Sequence, residues 1–124
     1  MRIAFDVLGT LKGYKGPALA EAFKKLQAMG HECVIWSSEY SMTIEIKKHY
    51  GLECETMRKQ AKYEMRNDNG EYEGLFDVAV EDDRSQTYLG AHKFAFVDEL
   101  RSNPDLMVEF ILNKANESRE VSDE

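Results

Sequence analysis

Three short apolar runs in this chain each end in side chains able to do chemistry. Ile3-Ala4-Phe5 leads to Asp6, Val34-Ile35-Trp36 to Ser37-Ser38, and Val78-Ala79-Val80, past Glu81, to Asp82-Asp83. If these runs are parallel strands, the three ends share one edge of a sheet, where open α/β folds bind their ligands. That edge would gather several carboxylates, two hydroxyls and any nearby lysine. Clustered carboxylates repel one another, so something positive must sit between them. Hard oxygen donors at this density suit Mg²⁺, and a bound Mg²⁺ would attract a phosphoryl group.

The elements that must position these residues are legible in the hydrophobic pattern. Arg2–Phe5 reads as a strand, followed by a glycine-containing loop over 12–16. Pro17 suits the first turn of a helix, where its missing N–H costs nothing. Leu19, Ala22, Phe23, Leu26 and Met29 then recur on one helical face, and Gly30 supplies a left-handed cap. His31-Glu32 open a second strand through Trp36, and a second helix is expected over 41–49, before Gly51. Leu52–Glu55 is expected as a short third strand, and Thr56 as the cap of a helix over 57–66. Asn67-Asp68-Asn69-Gly70 is a turn signal. Strands over 76–80 and 93–97 enclose a short helix over 85–90. Pro104 begins a last helix, with Leu106, Phe110 and Ile111 expected on its core face. Strands alternating with helices imply right-handed crossovers and a mostly parallel, Rossmann-like sheet covered on both faces, an α/β three-layer sandwich.

The 124 residues suit one domain, expected over 1–115, with an acidic tail over 116–124 too polar to order itself. The net charge of −7 argues against broad capture of nucleic acid or anionic lipid. Local basic patches are still available from Lys12, Lys15, Lys24 and Lys25, or from Arg58, Lys59, Lys62 and Arg66. Cys33 and Cys54 lie in no metal-spacing motif and read as free thiols. Met1-Arg2 leads straight into the first strand, and no apolar run reaches transmembrane length, so a cytoplasmic protein without membrane association is expected.

Taken together, the strand-end motifs resemble those of the haloacid dehalogenase-like superfamily of hydrolases. The first family motif, an apolar strand followed by Asp-x-Asp-Gly-Thr, is matched by Ile3-Ala4-Phe5-Asp6-Val7-Leu8-Gly9-Thr10-Leu11. The second, an apolar strand ending in Ser or Thr, is matched by Val34-Ile35-Trp36-Ser37. The fourth, an apolar strand ending in paired acids, is matched by Val78-Ala79-Val80-Glu81-Asp82-Asp83. The third is a lysine, often about twenty residues before those acids. Lys62 fits that spacing, with Lys59 as the second choice.

The resemblance implies roles position by position. Asp6 would be the nucleophile that forms an aspartyl-phosphate. Asp82 or Asp83 would ligate Mg²⁺ together with Asp6 and the backbone carbonyl of Leu8. Ser37, with Ser38 beside it, would contact a phosphoryl oxygen. Lys62 would balance charge, and Thr10 would support the first loop. Plainer roles exist beside these: Asp82-Asp83 as a helix N-cap, Ser37-Ser38 as strand terminators, and the lysines as a solvated face. His31, His49 and His92 match no motif. Trp36 is expected in the core, and Tyr40 and Tyr63 at the pocket mouth.

One position departs from the family's phosphatases. They carry a second Asp two residues after the nucleophile, as general acid and base, and here that residue is Leu8. Acid–base help is typically worth 10²–10⁴-fold. Dehalogenases of the superfamily also lack that acid, but they insert a helical cap between the first two motifs. Only a loop, one helix and one strand separate Leu11 from Ser37. Capless members act on large substrates or close the site by oligomerising. Asp82-Asp83-Arg84 also looks like the phosphatase half of polynucleotide kinase-phosphatases, which would make a nucleic-acid end the substrate. The resemblance thus implies a slow, Mg²⁺-dependent phosphohydrolase. The alternative is a degenerate domain that binds a phosphorylated ligand or protein partner without turnover.

Overall fold

The computed structural model describes residues 1–59, 76–86 and 93–117. Five strands form one all-parallel sheet: β1 (Arg2–Phe5), β2 (Glu32–Ser37), β3 (Thr56–Arg58), β4 (Val78–Glu81) and β5 (Phe94–Phe96). Among the described residues three α-helices accompany it: α1 (Gly16–Ala28), α2 (Tyr40–Tyr50) and α3 (Pro104–Asn116). Single 3₁₀ turns occupy Arg84–Gln86 and Val97–Glu99.

The strand order is β3-β2-β1-β4-β5. The chain steps outward from β1 through β2 to β3, then returns across the sheet to β4 on the other side of β1. The order therefore reverses between β1 and β4, and the crevice outside their carboxyl ends is the switch point of a Rossmann-like sheet. Register fixes what meets there. Phe5 lies opposite Val80, so Asp6 and Glu81, one residue further on, emerge side by side.

Burial on both faces explains why the strands read as continuous apolar runs rather than alternating ones. Ile3, Phe5, Cys33, Ile35, Val78 and Val80 face one side, where they join Leu19, Phe23 and Leu26 of α1, Ile46 of α2 and Met107 and Ile111 of α3. Ala4, Val34, Trp36 and Ala79 face the other side with Phe76. All three described helices thus lie on one face. The helical layer expected on the opposite face falls on residues outside those described.

Local signals place the helix ends. Pro17 lies in the first turn of α1, and the helix closes with Gly30 at φ +96°. The Gly30 N–H bonds the Gln27 carbonyl and the His31 N–H bonds the Leu26 carbonyl, a Schellman closure. In α3 the Asn103 side chain accepts from the Leu106 N–H, ahead of Pro104.

Three expectations are corrected. The third strand is Thr56–Arg58 rather than 52–55. Leu52 instead folds into the core after the left-handed Gly51, and pairing with β2 begins only when Ile35 N–H reaches the Glu55 carbonyl. Met57 and Arg58 are accordingly strand, not helix; the remainder of the helix expected to 66 lies outside the described residues. In α3, Leu106 is exposed, and Met107 with Ile111, four residues apart, forms the core stripe.

Candidate functional site

Asp6, Glu81 and Asp82 bring carboxylate oxygens within 4.8 Å of one another at the β1–β4 switch point. Strand parity places the first two. Asp6 is two residues beyond Ala4 and Glu81 two beyond Ala79, so both point to the Trp36 face of the sheet. Lys59, the residue after β3, reaches across to them. Its Nζ lies 2.8 Å from Asp6 Oδ1 and 2.9 Å from Glu81 Oε1. It also sits 5.2 Å from the centre of the Trp36 ring, a cation–π contact that covers the ammonium.

The three acids are not equivalent. Glu81 is fully engaged: Oε1 accepts from Lys59, and Oε2 accepts from the N–H groups of Asp82 and Asp83. Glu81 therefore holds the lysine and shapes the turn after β4. Asp6 Oδ2 and Asp82 Oδ1 share one donor, the buried Thr10 hydroxyl, at 3.3 and 3.4 Å. A hydroxyl has one hydrogen, so it donates to one carboxylate at a time. Asp6 and Asp82 thus keep more free oxygen lone pairs for a cation than Glu81 does.

The loop after Asp6 is built to bring these groups close. The Val7 carbonyl accepts from the N–H groups of Thr10 and Lys12, at 3.0 and 2.7 Å, which rolls the chain back on itself. Gly9 has φ +79°, and a Cβ there would lie 2.2 Å from Asp82 Oδ2. Only glycine permits both the turn and this approach. Val7 and Leu11 are buried, whereas Leu8 is 64% exposed.

The electrostatics follow from this crowding. Burial pushes the Asp6 carboxyl up to about 7, Glu81 adds to the rise, and Lys59 opposes it. Burial would lower the Lys59 ammonium, but the fields and hydrogen bonds of Asp6 and Glu81 outweigh it and raise it above its ordinary value. Among the described residues three carboxyl groups face one ammonium, which leaves the cluster short of positive charge when all three are ionised. A hard divalent cation fits that deficit and an all-oxygen donor set.

The other expected residues stand as follows. Lys62 lies outside the described residues; Lys59 is the lysine at the acids. Ser37 ends β2, with its Oγ accepting from Glu39 N–H at 3.1 Å. Ser38 is exposed beside it. Asp83 is turned away: its Oδ1 accepts from Ser85 N–H and Oγ at 2.9 and 2.7 Å, and these bonds hold it below the usual carboxylate range. It caps the turn at Arg84–Gln86. Glu81 is the member that sequence reasoning passed over, although register alone could have placed it beside Asp6. Cys33 and Cys54 are free thiols distant from this chemistry, both raised by burial. Among the described residues, no helix is long and apolar enough to cross a membrane.

No family model matches this chain, and no curated protein or solved structure matches it.

Proposed function

We propose that this chain is a Mg²⁺-dependent phosphohydrolase of the haloacid dehalogenase-like kind, with Asp6 as covalent nucleophile. The observation that carries the reading is Lys59 bridging Asp6 and Glu81 while Thr10 joins Asp6 to Asp82, all at the sheet's switch point. Asp6, Asp82 and the Leu8 carbonyl would hold Mg²⁺, which supplies charge neutralisation for the phosphoryl oxygens.

The protein's own groups account for the rest. An Asp6 oxygen attacks phosphorus, the bond to the leaving oxygen breaks, and that oxygen departs with the electron pair. Water then attacks phosphorus and loses a proton to bulk solvent, the acyl-phosphate bond breaks, and the Asp6 carboxylate returns. Lys59 keeps Asp6 oriented and offsets its charge. No side chain at position 8 can give or take a proton, so good leaving groups are favoured and the second step is slow. Para-nitrophenyl phosphate with Mg²⁺ is expected to turn over, and Asp6→Asn to abolish it. Equal inertness of both across a broad phosphate panel would overturn the proposal. A phosphorylated substrate is implied, a nucleic-acid end among the candidates, with oligomerisation as a means of closing the site.

The exposed Leu8 favours a second reading, a domain that binds a phosphorylated ligand without consuming it. It predicts that Mg²⁺ and phosphate together raise the melting temperature while no phosphate ester is hydrolysed.

A further inference from the structure

A cleft of about 460 Å³ lies beside the acid cluster, at the carboxyl ends of β2 and β3. Its lining includes Ser37, Ser38, Tyr40, Thr43, Met57 and Arg58. Two backbone links set the cleft next to the lysine of the acid site. Ser37 lies opposite Arg58 in the β2–β3 register, and the next residue, Lys59, donates its N–H to the Ser37 carbonyl. Neighbouring strands lie about 4.8 Å apart, so a molecule whose phosphoryl group meets Asp6 can extend over Ser37 into this space.

The lining chemistry is selective. Tyr40 and Met57 offer apolar and polarizable surface, the hydroxyls offer hydrogen bonds, and among the described residues Arg58 is the one charged member of the lining. Among the described residues no carboxylate pairs with Arg58, although the chain carries a net charge of −7. A guanidinium with no carboxylate partner among the described residues, in a cleft whose other described lining residues are uncharged, is suited to a planar anion. The volume suits a small organic body rather than an ion alone.

We infer that this cleft is the leaving-group subsite, and that it takes an apolar or aromatic body bearing a fixed carboxylate or phosphate, held by Arg58. The inference deepens the phosphohydrolase reading and rests on it for the position of the phosphoryl group.

The test compares para-nitrophenyl phosphate with its carboxylate-bearing analogue, whose leaving group has the added anion on the ring. Wild type is expected to favour the carboxylated ester by about tenfold in kcat/KM, the worth of one charge-assisted hydrogen bond. In Arg58→Gln that ratio falls to near one, whereas in Lys24→Gln, an exposed charge change elsewhere on α1, it persists. Turnover of both esters without preference, or equal loss of preference in Lys24→Gln, would overturn the subsite and leave the phosphohydrolase reading standing. If neither ester turns over, titrating the carboxylated nitrophenol itself decides the subsite alone. Binding weakened about tenfold by Arg58→Gln supports it, and no binding to wild type overturns it.

Discussion

Among the described residues two lysines have buried side chains, and they do different work. Lys15, at the foot of α1, donates to the backbone carbonyls of Val97 and Leu100 at 2.7 and 2.5 Å. Lys59 donates to two carboxylates. Lys15 meets neutral dipoles and ties the first loop to the segment after β5. Lys59 meets charge, and its partners are the acids at the switch point. A lysine solvated by carbonyls is a clamp; a lysine set among clustered carboxylates is a charge partner, and under the proposed reading a cation and an anion are exchanged beside it.

Substituting each lysine by methionine, which retains the apolar stem, should separate the two. Lys59→Met leaves Asp6 and Glu81 facing each other without a counter-charge. It should cost about 3–5 kcal/mol of stability and lower turnover of an aryl phosphate by roughly 10²–10³-fold. The stability loss should shrink toward about pH 5, where Asp6 is protonated. Denaturant midpoints at two pH values, together with initial rates, check this.

The acid cluster also predicts how the metal-free protein responds to pH. Asp6 is raised from 3.8 to about 7, so the folded state holds a proton that the unfolded state has released between those values. Stability from this group is fully present below about pH 4 and is lost as pH rises through 7, up to about 4 kcal/mol in all. Lys59 stays charged throughout that window, because its own shift is upward. Denaturant titrations from about pH 4.5 to 8 should show the decline, and saturating Mg²⁺ should flatten it by favouring ionised Asp6. Mg²⁺ affinity should correspondingly weaken below pH 7.

Lys15→Met should cost about 2–3 kcal/mol by orphaning two carbonyls. Unlike the Lys59 change, its cost should be flat between about pH 5 and 8, and turnover at saturating substrate should persist. A pH-dependent cost would show that Lys15 also belongs to the charged site. The smallest expected effect is Gly9→Ala, about 1–2 kcal/mol for a side chain in the left-handed region. Its larger readout is Mg²⁺ binding, because the new Cβ must displace Asp82.

The difference between the lysines also shows what the sequence could reveal. Asp6, Ser37 and Asp82 were legible as strand-end residues, because β1, β2 and β4 are apolar runs buried on both faces. Lys59 was harder to place. It follows a strand of only three residues, Thr56–Arg58, whose polarity and position at the sheet edge resemble a helix start. Spacing from the acids alone favoured Lys62 instead. Glu81 was hidden by its two acidic neighbours, since only the Phe5–Val80 register distinguishes the acid beside Asp6 from the one that caps a turn. The role of Lys15 depends on carbonyls more than eighty residues away, which no local pattern records.

The central claim is that Asp6 is phosphorylated. Because Leu8 cannot help water attack, the phospho-enzyme should accumulate. Wild type mixed with Mg²⁺ and para-nitrophenyl phosphate, then quenched in acid, should gain the mass of one phosphoryl group, and peptide mapping should place it on Asp6. The adduct should be absent without Mg²⁺ and in Asp6→Asn. Hydrolysis that continues in Asp6→Asn, or a phosphoryl group found on another residue, would contradict the account.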